Sequence, residues 1–82
     1  MIYIDQIRAA RGLLGWNQSD LAERAEVALS TIKRMETGVG LVRGNSRTVW
    51  QIVRALEDAG VVFIDENGGG PGVRFRDRKD RT

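Results

Sequence analysis

The apolar residues of this chain repeat at helical spacing as far as Leu56 and at a period of two after Gly60. That change fixes the order of the building blocks: helices first, a hairpin last. Ile4, Ile7, Ala10 and Leu14 share one helical face and predict a first helix over Asp5–Leu14, with Gly15 as its stop. Asn17 stands three residues before Asp20, the spacing of a capping box, and introduces a second apolar stripe of Leu21, Ala22 and Ala25. After a break at Glu26-Val27-Ala28, a third helix is expected from Leu29 to Thr37. It turns Ile32 and Met35 toward a core and Ser30, Thr31, Lys33 and Arg34 elsewhere, and Gly38 stops it. Residues 39–45 read as a loop. Ser46 is expected to cap a fourth helix, where Val49, Ile52, Val53 and Leu56 recur at i, i+3, i+4 and i+7 before Gly60 ends it.

Beyond Gly60, Val61-Val62-Phe63-Ile64 is β-branched and aromatic, and Val73-Arg74-Phe75-Arg76 alternates apolar with basic. Between them lies the turn-rich Asp65-Glu66-Asn67-Gly68-Gly69-Gly70-Pro71-Gly72, so a β-hairpin is predicted. The fold class is therefore mainly α: a bundle of about four helices over residues 1–60, a hairpin over 61–76 and a charged, frayed tail over 77–82. Both alternating sets of the first strand are apolar, Val61 with Phe63 and Val62 with Ile64. One set can cover the helices. The other is expected to meet a second copy in a homodimer, by sheet extension or by face packing, unless the fourth helix covers both sets and the chain is monomeric.

Composition narrows the function. A chain of 82 residues buries only about 60% of its unfolded surface, which leaves a thin stability margin. Its 41% hydrophobic and 29% charged residues are a globular balance. With no cysteine there is no disulfide framework or thiolate zinc site, and with no histidine the commonest metal ligand and general base are absent. No catalytic residue, metal site or cofactor is expected, and the chain reads as a binder. Of 13 basic residues all but Lys33 and Lys79 are Arg, against 11 acids, for a net charge of +2. Arginine suits phosphates and the guanine edge. A GC-rich genome favours the same residue, so the excess alone does not carry the reading. Met1-Ile2-Tyr3-Ile4-Asp5 lacks the basic region and the apolar length of a signal peptide, and Val61–Ile64 is too short to span a bilayer. A cytoplasmic location without membrane contact is the default expectation.

Two short helices joined by a tight turn, the second showing polar side chains outward, form a helix-turn-helix. Periodicity alone would fit a purely structural pair. Groove reading additionally demands that the second helix pack its apolar back closely, which Leu21, Ala22, Val27, Ile32 and Met35 can supply, with Ala22 small enough for a close crossing. The run Gln18-Ser19-Asp20-Leu21-Ala22-Glu23-Arg24-Ala25, followed by Val27 and by Ser30-Thr31-Ile32-Lys33-Arg34-Met35-Glu36-Thr37-Gly38, closely resembles the helix-turn-helix of the phage-repressor (Cro/C1, XRE-like) family. The resemblance spans about Asp5 to Leu56. It implies a compact repressor-like bundle that binds operator DNA, usually as a dimer, and hence a small transcriptional regulator whose partner is double-stranded DNA.

It also implies roles. Gln18 matches the glutamine that contacts the DNA backbone, and Asn17 beside it is a cap, a contact or both. Leu29, Ser30, Lys33 and Arg34 match positions facing the major groove, and Thr31 lies where it can bond phosphate or base. Ile32 matches the core residue of the third helix, and Arg11 with Glu36 matches a structural ion pair. The family usually has glycine where this chain has Glu26 and a Ser or Thr cap where it has Ala28. Glu26 is thus expected at positive φ at a cost of about 1 kcal/mol, with a similar loss from the missing cap. Leu29 can touch a thymine methyl but cannot read a hydrogen-bonding edge.

Charge agrees independently. Between Leu29 and Arg54 stand Lys33, Arg34, Arg43, Arg47 and Arg54 against the single acid Glu36, whereas the second helix and its turn carry Asp20, Glu23 and Glu26. A positive face on the third helix and the loop after it fits phosphate, with Arg43 as a backbone contact. The Gly68–Gly72 run is not a phosphate loop, since no Lys-Ser/Thr follows and a strand comes next. Trp16 and Trp50 are expected in the core or at its edge. Asp65 and Glu66 have no partner spacing for catalysis. An antitoxin-type module that neutralises a protein partner, and also binds DNA, is the alternative.

Overall fold

The computed structural model describes residues 2–77. Its elements follow the expected order: α1 (Ile4–Leu14), α2 (Gln18–Ala25), α3 (Leu29–Glu36), α4 (Ser46–Asp58), β1 (Val61–Ile64) and β2 (Gly72–Phe75). The tail expected over 77–82 lies outside the described residues from position 78 onward. α1 starts one residue before the expected Asp5. Gln6 reaches back there, its Oε1 accepting the Tyr3 N–H at 2.8 Å and satisfying a donor at the helix start. α2 opens on the expected reciprocal cap. Asn17 Oδ1 accepts the Asp20 N–H at 2.8 Å, and Asp20 Oδ2 accepts the Asn17 N–H at 3.0 Å. The cap of α4 is Asn45 rather than Ser46. Asn45 has extended backbone, so its Oδ1 can fold back onto the N–H groups of Arg47 and Thr48 at 2.8 and 3.3 Å, while Ser46 is already helical.

α1 and α2 end in the same way. The Trp16 N–H reaches Arg11 O at 3.0 Å and the Gly15 N–H reaches Gly12 O at 3.2 Å; Val27 to Ala22 and Glu26 to Glu23 repeat the pair at 3.0 and 3.2 Å. This closure requires one left-handed residue, Gly15 at φ 69° and Glu26 at φ 60°. Ala28, at the start of α3, offers no side-chain cap.

Those ends let four short helices surround one core of Ile7, Ala10, Leu21, Ala22, Ala25, Ile32, Ile52, Leu56 and Val61. α2 packs on both α3 and α4, with alanines at buried positions where larger side chains would hold the helices apart. The antiparallel hairpin lies over α1 and α4, pairing Val61 with Phe75, Val62 with Arg74, Phe63 with Val73 and Ile64 with Gly72. β2 is displaced one residue from the expected Val73–Arg76. Arg76 instead finishes α4, its N–H on Gly60 O at 2.7 Å and its Nη1 on Glu57 O at 3.0 Å. Val61 joins the core and Phe63 and Val73 pack against it, leaving Val62 and Ile64 half-buried on the opposite face. Gln6 clamps the base of the turn, donating from Nε2 to Ile64 O at 3.3 Å and to Gly72 O at 2.9 Å.

Trp16 is half-buried against the core, with the Arg24 guanidinium 4.9 Å from its ring centre. Trp50 departs from expectation. It is 59% exposed because it sits off the Val49, Ile52, Val53, Leu56 stripe of α4, and Arg54 lies 5.5 Å over its ring. Among the described residues, no helix is long and apolar enough to cross a membrane.

Candidate nucleic-acid interface

α3 is anchored by its back and its C-terminal end. Ile32 is fully buried and Met35 half-buried. Glu36 is also buried, which a carboxylate tolerates only with a full set of donors. Arg11 supplies two, from Nε to Oε2 at 2.8 Å and from Nη2 to Oε1 at 2.6 Å. Gln18 supplies a third from Nε2 to Oε1 at 3.2 Å. Arg11 spends its remaining reach on Trp16 O at 3.1 Å. One buried carboxylate thus joins α1, the first residue of α2 and the last residue of α3. Arg8 adds a cation at the C-terminal end of α3, where the helix dipole favours it, donating to Glu36 O and, at 3.3 Å, to Gly38 O.

With that side fixed, Ser30, Lys33 and Arg34 are exposed, and Thr31 and Leu29 are half-buried. Leu29 packs partly against the core, so only part of its side chain remains outward. Thr31 and Arg34 line a groove of about 370 Å³ together with Arg43, Val39, Asn45 and Thr48 from the loop and the start of α4. Three of the residues expected to touch DNA are thereby brought to one depression. Lys33 is exposed elsewhere on α3 and does not line it. Asn17 and Gln18 stand at the N-terminal end of α2, with Gln18 tied to the far end of α3 through Glu36.

Arg47 is exposed in the first turn of α4. Arg54 does not join the positive face expected from the sequence. It bonds Asp58 at 3.0 Å, stacks on Trp50, and shares a separate depression with Arg24, Glu26 and Gln51 beside the C-terminal end of α2. It lies two turns along α4 from Arg47, beyond the residues of the loop and of the start of α4 that line the groove.

Sequence reasoning missed Gln6, Arg8 and Val39. Glutamine at the third position of a helix is a capping signal, but Tyr3 is not a capping type, so the box did not show. Arg8 and Val39 carry no local signal beyond exposure.

A helix-turn-helix family model of the Cro/C1, XRE-like type matches residues 7–57, more than half of the chain. No curated protein matches the sequence.

Proposed function

The chain belongs to this Cro/C1-type, XRE-like helix-turn-helix family of DNA-binding regulators, and on that premise we propose that it occupies specific operator sites on double-stranded DNA as a homodimer. α3 enters the major groove, with Ser30, Thr31, Lys33 and Arg34 toward base edges and Leu29 offering apolar contact. Asn17, Gln18 and Arg43 hold the phosphate backbone. The observation that carries this reading is the shared groove of Thr31, Arg34 and Arg43, opening beside a helix whose back is locked by Arg11 and Glu36. Regulation acts by occupancy of the operator, set by the concentration of the protein or by a partner.

Selection from a random duplex pool tests it. The expected product is a palindromic sequence with half-site centres separated by about 10 base pairs or a multiple. A pool that emerges without enrichment at low and moderate salt removes the proposal.

A second reading, neutralisation of a protein partner in the manner of an antitoxin, draws on Trp50. A tryptophan 59% exposed with arginine over its ring is the residue pairing that dominates many protein interfaces. An adjacent gene whose product arrests growth, relieved by this chain but not by Trp50→Ala, would establish that role.

A further inference from the structure

Val39 is 89% exposed, and together with Trp50 it makes up the exposed large hydrophobic residues of the described chain. The two differ in setting. Trp50 carries Arg54 over its ring and lies away from α3. Val39 sits at the rim of the groove that holds Thr31, Arg34 and Arg43.

Its exposure is imposed by the backbone around it. Gly38 lies beneath α1, where an added Cβ would come 3.0 Å from Ile4 Cδ1, and Gly40 has φ +82°, which a side chain disfavours. Beyond Gly40 the loop is pinned to the residues that precede and open α1. The Ile4 N–H bonds Gly40 O at 2.9 Å, the Val42 N–H bonds Ile2 O at 2.8 Å, and Tyr3 bridges Leu41. On the other side, Arg8 holds the carbonyls of Glu36 and Gly38. Val39 is thus an apolar side chain on a short, braced tip, with both neighbours committed elsewhere.

Resting on the DNA-binding reading above, we infer that Val39 is a specificity-determining residue that packs against the C5-methyl of a thymine in the major groove, near the base pair addressed by Arg34. DNA is otherwise a charged and polar partner, and the thymine methyl is the apolar feature of the major-groove edge. A stiff β-branched side chain on a braced loop loses little freedom on contact, so the gain survives as discrimination. Arg34 and Arg43, lining the same groove, supply the attraction that brings the duplex to it. A contact to deoxyribose instead would use the same apolar surface yet read no sequence.

The test uses the full chain and its selected duplex. Each thymine of a half-site is replaced in turn by deoxyuridine, which removes only the methyl, and affinity is measured for wild type and Val39→Ala. Wild type should lose about fourfold at one thymine, the value of one buried methyl group, and Val39→Ala should lose nothing further there while binding the parent site about as weakly as wild type binds the substituted one. Circular dichroism confirms that the variant is folded, as an exposed loop position predicts. Uniform insensitivity of wild type to uridine, or an equal loss at that thymine in both proteins, overturns the inference and leaves DNA binding intact. Absence of any selected sequence overturns both.

Discussion

Glu26 is the non-glycine residue that the described chain places at positive φ, at φ 60° and ψ 44°. The closure of α2 needs a left-handed residue there, and an L side chain in that region costs about 1–2 kcal/mol. Glycine would remove that strain while adding about 0.5–1 kcal/mol of backbone entropy to the unfolded chain. Glu26→Gly should therefore raise stability by up to about 1 kcal/mol, read as a higher urea midpoint at unchanged slope; a lower midpoint would mean that Glu26 gains more from its surroundings than the backbone costs. The substitution of glycine by glutamate was visible against the family pattern, and so was its conformation, because the turn dictates φ whatever residue fills it. Arg34 and Arg43 offer a second contrast at this scale. Arg34→Ala should weaken operator binding by about 1–3 kcal/mol and relax preference at one base pair. Arg43→Ala should weaken every sequence alike and reduce the slope of affinity against salt. Equilibrium binding to the selected site and to its single-base variants, over a salt series, separates the two roles.

At the scale of elements, the hairpin is held by groups that periodicity does not reveal. The boundaries of α2 were legible because its cap and stop are local, lying within a few residues of the ends they fix. By contrast α3, uncapped at Ala28, starts at the expected Leu29 and ends at Glu36, one residue short of the expected Thr37. The α4 cap slipped by one because Asn45 and Ser46 are both capping types, and only backbone direction decides between them. Gln6 was illegible for a different reason: its amide reaches carbonyls 58 and 66 residues away. Buried in α1, it satisfies Ile64 O, Gly72 O and the Tyr3 N–H together. Gln6→Leu would leave those groups without their partner, at about 1–3 kcal/mol if they stay buried. Hydrogen exchange should show the hairpin amides losing protection ahead of those in α2 and α3; uniform loss across the chain would mean that the hairpin does not open separately. A second latch joins the same parts, Tyr3 Oη donating to Glu66 Oε1 at 3.0 Å. That bond and the charge of the carboxylate raise the Tyr3 phenol above its ordinary pKa. A raised folded-state pKa favours folding below the unfolded value and loses that contribution as pH climbs through the folded one. Tyr3→Phe should therefore be less stable than wild type at pH 8, with the difference shrinking above about pH 10 in denaturation curves. A difference independent of pH would rule out the hydroxyl as its source.

At the scale of the whole molecule, α3 has eight residues, about 12 Å of helix, which covers only a few base pairs. Two copies related by a two-fold axis double the contacts without lengthening the chain. The surface we propose for that pairing is the outer side of the hairpin. Its inner set, Val61 with Phe63 and Val73, packs on the core over α1 and α4. Val62 and Ile64 face away and stay half-buried, and among the described residues no third strand extends either edge of the two-stranded sheet. Such an edge tends to recruit another strand. Arg74, directly across from Val62, is the one exposed residue of β2 and would keep the outer face soluble until a second copy covers it. Both apolar sets were legible from alternation; which set faces the helices was not, since it depends on the register between β1 and β2 and on Gln6 holding the turn to α1. Placing a charge on the outer set should leave the fold intact and separate the copies. Ile64→Asp is therefore expected to give a folded monomer that binds the full palindrome far more weakly than wild type, yet binds an isolated half-site equally well. Sedimentation equilibrium at micromolar concentration decides the matter: wild type should run as a dimer, and a monomer there would move the origin of any palindrome from the hairpin to the DNA itself.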